Sequence, residues 1–451
     1  MYVMESHQWL TVTLILIPVN PSSSKVFHIF FIVFPCIYVF FIVIWKSMTS
    51  DTHPDSAIQL VDALCHIRSF NEGAFEADIA SYIADYLKTH CPWLTVILEE
   101  TAQSRPNVIA YDSTLADTRL LIVGHTDTVP PSPTDQWTVP EFSINNGRYY
   151  ALGAADAKGG IAAVLDGIVK AGPTSGVTYL FYTDEEYAFG GMKHFVSNHP
   201  EVQPDLILSA CGASAEMTAG CRGCIEFSYT LRGRSGHASR PHLSESAIDA
   251  MHVVNQRLIS WCSQRTKPYK TSINIAAIHA GLLRNTIPPL PTSDSDVNPE
   301  KLIPDMRHAA NNVPDVAWAL VDVRPGDADV TPAALEQCIT DSIDKYNTEN
   351  DKHIELAQFF VRFHVDGYHS PEGSFDAIQR HFATVHNGAI SNPSERGYID
   401  VAMISSQLPN AGCVCMAPLK ANDHSPDEWV DVASLMDYRD GIVRLLNDYP
   451  A

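Results

Sequence analysis

Residues 119–130 read RLLIVGHTDTVP and residues 177–186 read VTYLFYTDEE. Each is a short apolar run that stops abruptly at His or carboxylate side chains, the pattern of a strand buried on both faces. Two further runs behave alike: 205–210 (DLILSA) leads into Cys211, and 412–416 (GCVCM) leads into a loop bearing His424. Helical spacing fills the intervals, at 58–67, 76–88, 159–171 and 374–385. Strands alternating with helices predict an α/β fold, a mostly parallel sheet with helices on both faces. Ligands of such sheets bind beyond the carboxyl ends of the strands. His125, Glu185, Glu186, Cys211 and His424 therefore belong to one edge, joined by Asp156 in GAADAKGG (153–160), just before a helix.

The pattern changes after Gly223. Residues 225–232 (IEFSYTLR) alternate with period two, as a half-exposed antiparallel strand does. A helix over 244–262, strands near 272–278 and 316–323, a helix over 332–346 and a strand over 354–365 follow. This β-α-β-β-α-β order predicts an inserted α+β domain over 222–366, with 48–221 and 367–451 forming the domain that carries the His and carboxylate edge.

Composition narrows the function. The chain has 451 residues, 45% apolar and 18% charged, which is globular. A net charge of −22 repels phosphate backbones, so nucleic acid is not an expected partner. Ten cysteines are too sparse for a disulfide scaffold.

Residues 26–45, VFHIFFIVFPCIYVFFIVIW, carry no charge, and as a helix would span about 30 Å, a bilayer core. Two readings compete: a membrane anchor, or an upstream extension preceding a start at Met48. Residues 1–47 hold only Glu5, Lys25 and Lys46 as charges, so the acidity belongs to the remainder. The catalytic part is expected in the cytoplasm, with membrane attachment only through 26–45.

His and carboxylate together suit Zn²⁺ or Co²⁺. A carboxylate bridging two ions makes a two-metal hydrolase, and one of two adjacent glutamates can bind metal while the other moves the proton.

The motifs GHTDTVP (124–130), GAADAKGG (153–160), TDEEYAFGG (183–191), RGRSGHAS (232–239), VDVRP (321–325) and DHSPDE (423–428) stand in the order and spacing of a known family. From about residue 58 onward the chain resembles the co-catalytic zinc amidohydrolases, which include acetylornithine deacetylase, succinyl-diaminopimelate desuccinylase, aminoacylase and glutamate carboxypeptidase. The resemblance implies that His125 ligates one metal, oriented by Asp127, and that Asp156 bridges. It implies Glu185 as general base and Glu186 and His424 as ligands of the second metal. His237 resembles the inserted-domain His that crosses a homodimer to the substrate carbonyl, and Arg324 the binder of the substrate carboxylate.

Two departures stand out. The family has Glu or Asp where this chain has Cys211, which reads either as a thiolate ligand of the first metal or as a degraded site. Residues 282–308 form an added segment before Asn311, the expected substrate-contacting Asn, although Asn285 has an Asn-x-Ile-Pro context of its own. Cys221, Cys224, Cys413 and Cys415 read as packing residues. The expected activity is hydrolysis of a small N-acyl amino acid, nearest to N-acetyl-ornithine. A metallo-exopeptidase or dipeptidase acting on short peptides is the alternative within the enzyme class, and a non-catalytic binding protein the alternative outside it.

Overall fold

The structure is a computed structural model that describes residues 29–33, 39–43, 55–71, 73–102, 104–131, 136–212, 216–282, 311–386, 390–395, 397–399 and 401–449. Residues 1–56 and 57–451 are two units, taken here separately.

In the first unit, Ile29–Val33 pairs antiparallel with Val39–Val43. The membrane-anchor reading would need a helix over 26–45, and the described residues there are strands instead. The segment is dense in β-branched and aromatic residues, which favour strands, and Pro35 interrupts any helix at its centre. No described helix is long and apolar enough to cross a membrane.

The second unit is built on two sheets. The first has six strands in the order Gly412–Cys415, Leu206–Ser209, Leu120–His125, Val177–Tyr182, Arg105–Tyr111 and Thr95–Ala102. Its first four strands run parallel and its last two are antiparallel. Leu120, Ile122, Tyr179, Phe181, Leu206 and Leu208 share a core with the helices Ser56–His66, Ala77–His90, Gly159–Ala171 and Val432–Asp448. Leu121, Val123, Leu180, Tyr182 and Ile207 face the opposite core, with Met192, Phe195 and Ala402. Both faces are covered, which is why these strands are continuously apolar. The strand Thr95–Ala102, unforeseen in the sequence, is an edge with no buried residue.

The second sheet is antiparallel, in the order Ser272–Gly281, Val316–Arg324, Cys224–Arg232, Glu355–Val365. The helices Ala247–Ser263 and Pro332–Asn350 share its core, the expected β-α-β-β-α-β order. Ser246 and Thr331 cap them, accepting from the Asp249 and Ala334 amides. Such caps stabilise by about 1 kcal/mol each. The added segment 282–308 lies outside the described residues, apart from buried Leu282. The helix expected over 374–385 is broken into Asp376–His381 and Ala383–His386.

A small antiparallel sheet was not foreseen either. Lys420–Ala421 pairs with Trp429–Asp431, which pairs with Arg148–Tyr150, which pairs with Ser143–Asn145. The hairpin between its first two strands carries His424. Its third strand leads directly into the segment of Asp156.

Candidate metal centre

The carboxyl edge of the parallel strands assembles the site. His125 ends Leu120–His125, Glu185 and Glu186 follow Val177–Tyr182, and Cys211 follows Leu206–Ser209. Asp156 stands in the turn before the helix Gly159–Ala171, entered through Gly153 at φ +83°. That helix start is pressed against the end of a strand, since a Cβ at Gly160 would collide with the Ala210 carbonyl oxygen. Asp184 and His424 hold left-handed backbone at φ +65° and +60°. Side chains rarely adopt that conformation, at a cost of about 1 kcal/mol or more, and it recurs at functional sites.

Asp156 is the common member of two clusters. Its Oδ1 lies 3.0 Å from His125 Nε2 and 3.0 Å from Cys211 Sγ. Its Oδ2 lies 3.5 Å from His424 Nε2, which is 3.0 Å from Glu186 Oε1. The donor atoms of His125, Asp156 and Cys211 lie within 4.8 Å of one another, as do those of Asp156, Glu186 and His424 and those of His125, Glu185 and Glu186. Two imidazoles, a thiol and carboxylates with one carboxylate shared fit a pair of divalent ions.

Asp127 is the hub behind this arrangement. Its Oδ1 lies 3.4 Å from His125 Nδ1 and accepts the Glu185 amide at 3.1 Å. Its Oδ2 accepts the Glu186 amide at 3.0 Å and the Asn71 side chain at 3.0 Å. One buried carboxylate thus orients the imidazole and the backbone of both glutamates. Burial pushes its pKa up, but His125 and the two amides outweigh this and hold it low.

Charges in the site press on one another. Burial raises the Asp156 pKa, yet Lys420, His125 and His424 together hold it well below the usual range. Hydrogen bonds to Asp156 and Glu186 raise His424 to about 10. Burial, then the Asp156 charge, push the Cys211 thiol to about 12.

Sequence reasoning missed the supports. Glu428 was quoted within DHSPDE without a role. It is buried and accepts the amides of Gly153 at 3.0 Å, Ala155 at 2.8 Å and Asp156 at 3.1 Å, clamping the shared carboxylate. Buried Glu76 accepts the Asp184 amide and binds Arg105, which also pairs with Asp184 at 2.9 Å and with Asn71. No sequence signal marked them, because their burial and their partners appear only in the fold.

The residues expected from the second sheet stand apart. His237 is exposed, and its Nδ1 accepts from the Ser239 amide at 3.1 Å. Asn311 lies beside it: its carbonyl accepts the Ala238 amide at 3.0 Å, and the Val313 amide bonds Gly236. Arg324 is occupied by its own strand, with Nε and a terminal nitrogen each 2.9 Å from Asp322. Among the described residues, none of these three bonds to a group of the metal centre. A further cluster of Cys224, Glu226 and Asp322 is already neutralised, Asp322 by Arg324 and Glu226 by Arg362 at 3.3 Å.

Comparison with known proteins agrees with this geometry. The model of peptidase family M20/M25/M40 matches residues 121–448. A succinyl-diaminopimelate desuccinylase of Xanthomonas euvesicatoria pv. vesicatoria is 28% identical over 350 residues, covering 72% of this chain and 84% of that protein. An acetylornithine deacetylase of Aliivibrio fischeri is 29% identical over 250 residues, covering 52% of this chain and 65% of that protein. Among solved structures, the Bacillus subtilis protein YXEP, a dinuclear metal binding peptidase, superposes with a TM-score of 0.58 at 13% identity over 87% of this chain and 97% of its own.

Proposed function

The chain belongs to peptidase family M20/M25/M40 and is a metal-dependent amidohydrolase; on that premise we propose that it hydrolyses the amide of a small N-acyl amino acid, N-acetyl-ornithine or a close relative. The observation that carries this reading is the Asp156 carboxylate shared between the His125–Cys211 pair and the Glu186–His424 pair, with Glu185 alongside. His125, Asp156 and Cys211 would hold one ion, Zn²⁺ or Co²⁺, and Asp156, Glu186 and His424 the other. Two such ions, when bound, supply Lewis acidity to the amide carbonyl and to a water.

Glu185 takes the proton of that water and delivers it to the departing amine. Its amide is pinned by Asp127, which fixes the carboxylate's origin while the side chain works. His237 stabilises the developing oxyanion, and Arg324 with Asn311 holds the substrate carboxylate. To do so Arg324 exchanges Asp322 for substrate, a like-for-like swap of carboxylates.

Because, among the described residues, His237, Asn311 and Arg324 bond to no metal-centre group, we assign them to the centre of a partner copy in a homodimer. The outer strand of the second sheet, Ser272–Gly281, supports this, pairing on one side only among the described residues and exposing Ile278 at 53%, as do exposed Ile248 and Ile259 on the adjacent helix. On the same reading the inserted domain spans 222–366, between the two parts of the catalytic domain at 48–221 and 367–451. Nine described cysteines are all free and eight are buried, which suits a reducing compartment such as the cytoplasm.

The test is reconstitution of metal-free full-length chain with Zn²⁺ or Co²⁺, followed by N-acetyl-ornithine, N-succinyl-diaminopimelate, other N-acyl amino acids and dipeptides as substrates. Amine release from an N-acyl amino acid is expected. Turnover confined to dipeptides moves the assignment to a peptidase. No bound ion and no turnover returns it to a non-catalytic binding protein.

A further inference from the structure

One strand holds the turn that carries Glu185. Arg105 and Asn107 are alternate residues of Arg105–Tyr111 and share a face. Asn107 accepts the Thr183 amide at 3.2 Å and donates to the Gly191 carbonyl at 2.9 Å, closing the turn at its two ends. Arg105 grips the start of the turn. Its Nε donates to Glu76 Oε2 at 2.9 Å and a terminal nitrogen donates to Glu76 Oε1 at 2.6 Å. The same nitrogen pairs with Asp184 Oδ1 at 2.9 Å and donates to Asn71 Oδ1. Glu76 is itself fixed, fully buried at the N-cap of the helix Ala77–His90. Asp184, just before Glu185, is the residue in left-handed backbone. Its amide donates to Glu76 Oε1 at 3.1 Å, its Oδ2 accepts the Gly190 amide at 3.1 Å, and its carbonyl accepts the Phe189 amide at 2.6 Å.

We propose that Arg105 is a positioning residue for the general base: by binding Glu76 and Asp184 together it fixes the backbone from which Glu185 projects. This rests on the reading of Glu185 as the base. A side chain at positive φ returns to commoner backbone unless its surroundings hold it, and here the hold runs through one guanidinium. The planar fork takes both oxygens of Glu76 and reaches a second carboxylate at once, which the point charge of a lysine cannot reproduce. A second route leads to the same place. Asn71 turns its oxygen to Arg105 and its nitrogen to Asp127 Oδ2, and Asp127 accepts the Glu185 amide. Glu186 shares the turn, but on the two-ion reading it is held by its ion as well. Glu185 binds no ion on that reading, so its aim depends on the backbone beneath it. Loss of the fork should therefore slow proton transfer far more than it weakens metal binding.

The test uses full-length chain loaded with Zn²⁺, with N-acetyl-ornithine as substrate, or a dipeptide if only dipeptides are cleaved. Arg105→Lys should lower kcat by about 10–100-fold, with KM and bound Zn²⁺ by elemental analysis within about twofold of wild type. In a Glu185→Gln background the same change should cost less than about twofold, because no base remains to be misplaced. Glu76→Gln, which breaks the fork from the other side, should give the same pattern and stands in should Arg105→Lys fail to fold. An unchanged kcat, a loss that persists in full in the Glu185→Gln background, or a fall in bound Zn²⁺ that matches the fall in kcat overturns the inference while the base reading stands. Zn²⁺-loaded wild type inert on both substrates overturns both.

Discussion

The two sheets of the chain treat their polar residues in opposite ways. At the edge of the parallel sheet, His125 and Asp127 are fully buried and linked through Asp156 to Glu186 and His424. On the antiparallel sheet, His237 and Asn311 are exposed, and Arg324 is only engaged by the carboxylate two residues away. The first region holds a connected constellation, anchored by buried His125 and Asp127 and closed by the exposed His424. The second holds loose ends, each satisfied locally and available for exchange. The difference separates the part of an enzyme that must be rigid before substrate arrives from the part that must trade partners when it does.

The sharpest way to break this contrast is Glu185→Gln. It should lower kcat by about 10³–10⁴-fold while leaving metal content intact, read by steady-state kinetics and elemental analysis. His237→Ala should cost about 10²–10³-fold. Mixing that variant with Glu185→Gln should restore part of the activity if His237 serves a partner's centre; mixtures as inactive as the parents would place it elsewhere.

Acid should act on the first region more than on the second. Asp156 and Glu186 raise His424 to about 10, and burial raises Cys211 to about 12, so both carry protons at neutral pH that ions must displace. Ion affinity should fall at least about tenfold per unit as pH drops from 8 to 6, measured by competition with a chelating dye. A flat profile would mean the ions bind elsewhere.

Glu428→Gln should weaken ion affinity by about 10–100-fold through a loosened Asp156 turn, with kcat of the fully loaded enzyme little changed. The smallest effect is expected for Asp322→Asn. Freeing Arg324 from its own strand should shift KM by a few-fold with kcat unaltered, and a large kcat effect would show that the pair is structural.

Much of this contrast was legible in the sequence. Buried parallel strands announce themselves as apolar runs, and their carboxyl ends deliver His125, Glu185, Glu186 and Cys211 to one edge by topology alone. The Arg324–Asp322 pair was not foreseen: Arg324 was expected to bind a substrate carboxylate, and Asp322, two residues away on the same strand face, was given no role. Glu428, Glu76 and Arg105 were not foreseen either, since their partners lie far along the chain and no local pattern marks a carboxylate that will accept buried amides. The membrane-anchor reading of 26–45 rested on length and hydropathy, whereas the central Pro35 and the β-branched and aromatic residues favour the strands seen there.

The small sheet carries a consequence for how the protein is made. It is the device that brings His424 to Asp156, and its strands come from residues 143–150 and 420–431. A ribosome delivers the first of these pieces long before the second. His424, which meets both Asp156 and Glu186, is thus the last of the site's side chains to be delivered, so completion of the Asp156–Glu186–His424 cluster is expected late in synthesis.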